Sequence, residues 1–178
     1  MYIGHTGIND VFIVENQFHT DNRGNFIKTF HADTFKKNGL STNFVESFYS
    51  TSKKNVIRGM HFQTPPQDHA KLVYVIEGKV VDVALDVRKE SPTFGTFVEV
   101  ELTGKNGKSL YMGKGIAHGY LVLSNTATVV YLTSTMHSPE NDMGIRWNSF
   151  GCIWRNADNI IMSERDQGFI GMDDYAEM

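Results

Sequence analysis

The hydrophobic and polar positions of this chain follow the two-residue period of β-strands through much of its length. β-Branched and aromatic residues form short runs that Gly, Asn and Ser turns separate. Strands are therefore predicted at 11–15, 26–30, 44–50, 56–62, 71–76, 79–87, 97–102, 109–112, 120–123 and 128–135. Only residues 33–37 and 138–141 suggest a helical turn or two. Many strands with little helix predict an all-β sandwich or barrel.

The alternation within residues 81–87 indicates which side chains share a face of the strand. The Val and Leu residues lie on one face, and Asp82, Ala84 and Asp86 lie on the other. In a barrel this second face points either to solvent or to the lumen. A polar lumen in a small barrel is typical of a ligand-binding cavity.

Composition and charge narrow the possible functions. The 178 residues are 40% hydrophobic and 21% charged, without internal repeats or Pro/Ser-rich linkers, so residues 1–178 are predicted to form one domain. A net charge of -3 without blocks of like charge argues against nucleic acid or an anionic membrane as a partner. No apolar run approaches the ~20 residues of a membrane span. The single Cys152 excludes an internal disulfide, and we expect a soluble, cytoplasmic protein.

Two of the seven histidines are candidates for chemistry. His61 lies at the end of an apolar predicted strand, and its neighbours Met60 and Phe62 point to the opposite face. His118 follows a Gly turn where another strand is predicted to begin. A structural role is an open alternative for both. The other histidines are predicted to be exposed: His5, His19, His31, His69 and His137.

Three further residues have both a structural and a functional interpretation. Lys71 opens an apolar strand, where an exposed terminal charge is an equal alternative. Tyr131 fits a buried tyrosine that anchors its hydroxyl, and Asp166 fits the cap of a helical turn. The sequence contains no P-loop, GxGxxG or GxSxG motif, which argues against the commonest nucleotide-binding and hydrolase families.

A metal centre is disfavoured. Small double-stranded β-helices of the cupin type often bind a metal through two closely spaced His, a Glu and a later His. Here Gln63 stands two positions after His61, and Lys71 occupies the region where the Glu is expected. Because a cation in the pocket also disfavours a divalent metal, we predict neither a metal nor another cofactor.

The sequence resembles the dTDP-4-dehydrorhamnose 3,5-epimerase family, in register over about residues 21–166. The motifs that carry the resemblance are RGMHFQ, KLVYVIEGKVVDVALDVRKESPTFG, GIAHGYLVLS, VVYLTS, SPENDMGIRWN and MSERD. The resemblance implies a cupin-type double-stranded β-helix (jelly roll) and a homodimer that exchanges N-terminal strands. It implies epimerisation at C3, C5 or both of a nucleotide-linked 4-keto-6-deoxyhexose, for deoxysugars of surface polysaccharides such as O-antigen.

The resemblance also implies roles for individual residues. His61 is the general base, Asp166 orients it, and Tyr131 is the acid on the opposite face of the sugar ring. Lys71 lies beside the substrate ketone. The positions that bind substrate are Arg23 and Arg58, which match diphosphate ligands, and Phe26, Lys28, Glu46, Gln63, Asp82 and His118.

These residue types suit the chemistry. A C4 ketone acidifies the hydrogens on C3 and C5, so a base can form an enolate, and reprotonation from the other face inverts the centre. A histidine titrates near working pH, and a nearby ammonium stabilises the charge that develops on the ketone oxygen. Arginine binds phosphate oxygens through forked hydrogen bonds.

Three segments depart from the family pattern. The sequence has Glu46-Ser47-Phe48-Tyr49-Ser50 for Gln-Asp-Asn-His-Ser, Lys28 for an acidic residue, and Gly113-Lys114-Gly115 for Pro-Pro-Gly. The first two lie where the family holds its nucleobase. A carboxylate is a natural acceptor for the amino group of cytosine, so the changes suggest a base other than thymine. Neutral drift at a solvated rim explains them nearly as well.

Three alternative functions remain open at this point. The first is a single-centre C3 epimerase that acts on a CDP-linked rather than a dTDP-linked sugar. The second is a non-catalytic sugar-binding cupin, which predicts a missing catalytic residue. The third is a metal-dependent cupin oxygenase.

Overall fold

The computed structural model describes residues 1–154 and 159–178. Within these ranges the chain forms thirteen strands and three short helices. The strands are β1 Tyr2–His5, β2 Val11–Glu15, β3 Gln17–Asp21, β4 Gly24–Lys28, β5 Glu46–Lys53, β6 Ile57–Gln63, β7 Lys71–Glu77, β8 Lys79–Asp86, β9 Phe97–Thr103, β10 Lys108–Met112, β11 Ile116–Val122, β12 Thr126–Thr133 and β13 Asp142–Gly144. The helices are α1 Ala32–Lys37, α2 Glu164–Gln167 and α3 Met172–Glu177.

Two antiparallel sheets form the body of the molecule. One has six strands in the order β1-β2-β10-β7-β12-β5, and the other has five in the order β13-β6-β11-β8-β9. A core of buried apolar side chains from β2, β7, β10 and β12 on one side and β8, β9 and β11 on the other joins the two sheets. Burial of this area drives the sheets together. The all-β prediction is confirmed.

The strand β8 shows how the second sheet is covered on both faces. Asp82, Ala84 and Asp86 are fully buried, so their face points into the molecule rather than to solvent. The opposite face, with Val83 and Leu85, packs against the C-terminal segment in a second apolar cluster. The alternation within this strand therefore marks the interior of a jelly roll and not a solvent-facing side.

Close backbone approach between β6 and β11 depends on glycine. A Cβ at Gly59, whose φ is +131°, would lie 2.4 Å from the Cα of Gly119 and 2.8 Å from the carbonyl oxygen of His118. Only a residue without a side chain allows the two strands to approach this closely. The approach brings His61 and His118 opposite each other in the antiparallel register.

Several element predictions need correction. Three strands, β1, β3 and β13, and the helix α3 were not predicted, and residues 138–141 form a turn rather than a helix. The helical turn considered for Asp166 exists as α2, but Ser163 caps it and Asp166 lies inside it. The strand β11 begins at Ile116, four residues before the predicted start. The sequence of β3, Gln-Phe-His-Thr-Asp, has no buried face to impose alternation, since all its residues are exposed. In β11, Gly119 and His118 interrupt the apolar pattern, so the first part of a strand that is buried throughout was not predicted.

The hairpin formed by β3 and β4 packs little against its own chain. Every residue of β3 and the first three of β4 are exposed. Two aromatic side chains on it are strongly exposed, Phe18 at 40% and Phe26 at 59%. An isolated two-stranded hairpin is marginally stable in water. The exposed surface of this hairpin is therefore of the kind that packs against another surface. Among the described residues, no helix has the length and apolarity that crossing a membrane requires.

Candidate active site

A cleft of about 460 Å³ opens between the two sheets. Strands β5, β7 and β12 form one wall, and β6 and β11 form the other. It brings together seven of the residues predicted for the site: Glu46, Arg58, His61, Gln63, Lys71, His118 and Tyr131. This is the size of a pocket that holds a small organic ligand.

The catalytic pair predicted from sequence, His61 and Asp166, is joined by a hydrogen bond. The Nε2 of His61 lies 3.0 Å from Oδ1 of Asp166, and the backbone N–H of Gly59 donates to Oδ2 at 3.0 Å. Because a carboxylate only accepts, His61 donates through Nε2 and keeps Nδ1 as the nitrogen that can take a proton. The His61 side chain is 32% exposed to the cleft, whereas that of Asp166 is 6% exposed.

The helix α2 places Asp166 behind His61. Ser163 caps this helix, and its hydroxyl accepts the backbone N–H of Asp166. Burial alone raises the pKa of Asp166, but its hydrogen bonds with His61 and Gly59 lower it below the ordinary value. Burial lowers the pKa of His61, and with the nearby charges of Lys71 and Arg165 it keeps that pKa below the ordinary value despite the opposing effect of Asp166. The pair therefore presents a neutral imidazole beside an ionised carboxylate near neutral pH.

Two features not predicted from sequence support this imidazole. The ring of Phe169 meets His61 edge-on, with centroids 5.5 Å apart. Gly144 makes the space for it, since a Cβ there would lie within 2.3–2.5 Å of three ring atoms of Phe169. Gly144 is also the register partner of His61 between β13 and β6. The packing of Phe169 on Gly144 thus limits the orientation of the His61 ring.

Lys71 brings a cation to the inner part of the cleft. Only 8% of the residue is exposed, and its ammonium donates to the carbonyl oxygen of His61 at 2.8 Å. Burial lowers the pKa of Lys71 to about 8, although the charges of Asp142 and Asp82 oppose this shift. The interpretation of Lys71 as an exposed strand-end charge is therefore wrong.

Tyr131 lies on the wall opposite His61. It is 8% exposed, and burial raises the pKa of its hydroxyl well above 10. The hydroxyl shares a hydrogen bond with Ser50 at 3.3 Å. Its ring stacks on Phe48 and meets His118 edge-on. A tyrosine in this setting keeps its proton at neutral pH and can donate it into the cleft.

A second imidazole–carboxylate pair lies deeper than the first. The Nε2 of His118 is 2.9 Å from Oδ2 of Asp82, and the two side chains are 4% and 0% exposed. His118 lines the cleft, but Asp82 lies behind it and does not. Burial raises the pKa of Asp82, and His118 partly opposes this. In this arrangement Asp82 supports His118 from behind and does not contact a ligand in the cleft directly.

Gln63 and Glu46 occupy one end of the cleft. The amide of Gln63 is engaged within the chain, donating to the carbonyl oxygen of Gln67 at 2.6 Å and accepting from the backbone N–H of Ser138 at 2.7 Å. It shapes the wall and has little capacity left for a ligand. Glu46 accepts the backbone N–H of His137 at 3.2 Å through Oε2. Its Oε1 has no hydrogen-bond partner among the described residues.

The predicted phosphate ligands do not lie together in a single chain. Arg58 lines the cleft, and its Nε donates to Ser52 at 2.9 Å. Arg23 lies on the β3–β4 hairpin, paired with Asp21, and its side chain is 86% exposed. Phe26 and Lys28 lie on the same hairpin, outside the cleft of their own chain.

Sequence reasoning missed two histidines and an arginine that line the cleft. His69 and His137 were predicted to be plain surface residues, and Arg165 was not considered. His69 is half-buried, with Nδ1 3.1 Å from Thr135 Oγ1, and burial lowers its pKa to about 3. His137 is exposed as predicted but lies at the rim. The signal available for Arg165 was its place next to Asp166 on a short helix.

The cleft as a whole suits proton transfer at carbon. A base and an acid project from opposite walls, and a buried ammonium lies near the base, where it can stabilise negative charge on an oxygen. Among the residues that the structure describes, no group of three His, Cys, Asp or Glu side chains is placed to hold a metal ion.

Known proteins resemble this chain over most of its length. The family model described as dTDP-4-dehydrorhamnose 3,5-epimerase matches residues 5–174. The enzyme of that name from Salmonella typhimurium is 41% identical over 169 residues, which cover 93% of this chain and 92% of that protein.

Two solved structures extend the likeness to the fold. A dTDP-6-deoxy-D-glucose-3,5-epimerase from Legionella pneumophila, in complex with dTDP-4-keto-L-rhamnose, superposes with a TM-score of 0.92 at 34% identity over 97% of this chain and 93% of that one. A 3'-monoepimerase from Streptomyces bikiniensis, in complex with dTDP-quinovose, has a TM-score of 0.91 at 25% identity over 96% and 87%. The cupin-type jelly roll predicted from the sequence is confirmed.

Proposed function

This chain belongs to the dTDP-4-dehydrorhamnose 3,5-epimerase family, and from this premise we propose that it epimerises a nucleotide-linked 4-keto-6-deoxyhexose. It inverts C3, C5 or both, as a step in making deoxysugars for surface polysaccharides such as O-antigen. The observation that carries the proposal is the pairing of His61 with Asp166 across the cleft from Tyr131. The lone cysteine fits a cytoplasmic site of action.

His61 starts the reaction as the general base. The Nε2–H bond to Asp166 fixes the tautomer and leaves Nδ1 free to remove the hydrogen on the carbon next to the ketone. Asp166 then stabilises the imidazolium that forms. Because burial keeps the pKa of His61 below its ordinary value, the base is neutral and ready at physiological pH.

Lys71 and Tyr131 complete the proton transfer. The electron pair released at carbon moves onto the ketone oxygen, and the nearby Lys71 ammonium stabilises this enolate. Tyr131 then donates its proton to the same carbon from the opposite wall, which inverts the centre. The resulting phenolate regains a proton from solvent, with the Ser50 hydroxyl placed to relay it, and the His61 imidazolium releases its proton to solvent, so both residues return to their starting states.

The diphosphate of the nucleotide-linked substrate requires cations, and a single chain does not bring its two predicted arginines together in the cleft. Arg58 lies in the cleft and suits a diphosphate oxygen. Arg23 and Phe26 lie on the exposed β3–β4 hairpin. We therefore propose a homodimer in which each chain places this hairpin over the cleft of its partner. The exposed aromatic rings of Phe18 and Phe26 support this, since contact with a second copy buries them.

Two alternatives concern the substrate and the activity. A single-centre epimerase on a CDP-linked sugar is supported by Glu46, whose carboxylate lines the cleft where the family pattern has Gln. A non-catalytic sugar-binding protein of this fold predicts the loss of a member of the catalytic set, yet His61, Lys71, Tyr131 and Asp166 are all present.

Proton NMR in deuterated water tests the proposal directly. We expect the protein to exchange the hydrogens on C3 or C5 of dTDP- or CDP-linked 4-keto-6-deoxyglucose and to produce inverted sugars. The His61→Asn variant serves as a matched control for adventitious exchange. Absence of exchange with both substrates, in a preparation shown to bind a nucleoside diphosphate, contradicts the proposed activity and leaves a binding protein.

A further inference from the structure

The proposed acid, Tyr131, is held by two aromatic contacts and a hydrogen bond. On one face, Phe48 stacks on it with ring centroids 4.7 Å apart and planes inclined by 15°. The ring of His118 makes a T-shaped contact with it, with centroids 5.9 Å apart. The hydroxyl is held at its far end by Ser50 at 3.3 Å. Three contacts thus fix the ring plane, the ring position and the hydroxyl.

The strand β5 supplies two of these contacts through its inward face. Phe48 is the register partner of Tyr131 between β5 and β12, and Ser50 follows two residues later on the same face. Tyr49, between them, points away from the cleft and is 72% exposed. Phe48 itself is 47% exposed, although it is an aromatic residue on the cleft wall. Its ring therefore contributes more to the placement of Tyr131 than to the apolar core.

Placement of the phenol matters because the substrate has two reactive carbons. C3 and C5 lie on either side of the ketone carbon, and each is inverted only if a proton arrives on the face opposite the base. A proton donor must come within about 3 Å of the atom it serves. A phenol that serves both centres has to shift between them, and a ring stacked on Phe48 with its hydroxyl held by Ser50 resists this shift.

We propose that Phe48 is a positioning residue that holds Tyr131 over one of the two carbons and so restricts inversion to one centre. This inference rests on the proposed epimerase function. It identifies a structural determinant of the number of centres inverted, in a segment where the sequence departs from the family pattern. Phe48 acts through Tyr131.

The test compares product ratios rather than overall activity. In deuterated water with dTDP- or CDP-linked 4-keto-6-deoxyglucose, whichever turns over, NMR resolves sugars inverted at C3, at C5 and at both. We expect the unmodified protein to form one singly inverted product at least tenfold faster than any other. Phe48→Ala should narrow that ratio by roughly two- to tenfold, the population shift that one aromatic pair of this kind can hold.

Two variants separate positioning from a general effect on the sheet. Phe48→Tyr keeps the stacked ring and should keep the product ratio, whereas Tyr49→Ala removes an aromatic ring from the outer face of the same strand and should leave it unchanged. Thermal melting and sedimentation of all variants show whether folding and assembly are intact.

The possible results lead to distinct conclusions. Comparable inversion at both centres by the unmodified protein overturns the inference, and so does a Phe48→Ala variant that loses rate without any change in ratio. Either result leaves the epimerase function standing, because inverted sugars still form. Failure of the unmodified protein to exchange either hydrogen overturns the proposed function, and this inference with it.

Discussion

His61 and His118 face each other as register partners on the antiparallel strands β6 and β11, and each hydrogen-bonds to a carboxylate through Nε2. The two pairs differ in access to the cleft. The His61 side chain is 32% exposed, and that of His118 is 4% exposed. Both oxygens of Asp166 accept hydrogen bonds, whereas Oδ1 of Asp82 is buried without a partner among the described residues. The first pair is therefore suited to proton transfer and the second to holding the cleft wall.

Removal of the base should nearly abolish exchange while leaving nucleotide binding intact. We expect His61→Asn to lower kcat by ~10²–10⁴-fold, the usual contribution of a general base. Asp166→Asn should also lower kcat strongly, because it cannot stabilise the imidazolium. Steady-state kinetics and calorimetry with a nucleoside diphosphate measure the two effects separately. If His61→Asn keeps more than a third of the original turnover, His61 is not the base.

The pH dependence of kcat/KM should report His61 and Lys71. His61 must be neutral, so activity rises through its pKa, which burial holds below 6.5. Lys71 must be protonated, so activity falls as pH passes its pKa of about 8. Lys71→Arg keeps the charge at every accessible pH and should move the alkaline limb upward, even if the rate falls. An unmoved alkaline limb in this variant assigns that limb to another group.

The catalytic residues of the cleft were predicted from the sequence, whereas the residues that pack around them were not. Periodicity placed His61 and Tyr131 on strands, and the motifs brought Asp166 to His61, although 105 residues separate them. The roles of Phe169 and Gly144 were not predictable, because their contact joins segments distant in sequence and depends on a single missing Cβ. The half-burial of His69 was also missed, because a polar loop sequence does not show that the loop folds back over the cleft.

Chelation should leave the activity unchanged. Gln63 stands in place of a second metal-binding His, and the Lys71 ammonium lies beside His61, so a divalent ion meets a poor ligand set and a repelling charge. Prolonged dialysis against EDTA, followed by the NMR assay, is the measurement. Loss of activity that a divalent ion restores contradicts the metal-free mechanism.

The proposed exchange of hairpins predicts complementation between two defective chains. Arg23→Ala and His61→Asn each weaken one part of the site, and in an exchanged dimer these parts come from different chains. A mixed dimer then contains one site with neither change, so random mixing after mild unfolding should restore about a quarter of the original activity. A mixture of His61→Asn with Lys71→Ala is the matched control, since these two residues share one cleft. If the test mixture regains no more activity than the control mixture, the exchange of hairpins is contradicted.

The choice of nucleobase depends on Glu46. Its Oε2 is held by the N–H of His137, while Oε1 accepts no hydrogen bond from any described residue and can accept one from a ligand. Cytosine offers an amino group to such an acceptor, whereas thymine offers a carbonyl oxygen. Lys28 lies on the β3–β4 hairpin, so in the proposed dimer it approaches this place from the partner chain.

A mismatch leaves a desolvated group unpaired, at ~1–3 kcal/mol, which corresponds to roughly ten- to a hundredfold in affinity. We therefore expect calorimetry to show tighter binding of CDP than of dTDP. Glu46→Gln keeps the size of the side chain but adds a donor, so it should reduce or reverse the preference. Tighter binding of dTDP by the unmodified protein means that Glu46 does not select the base.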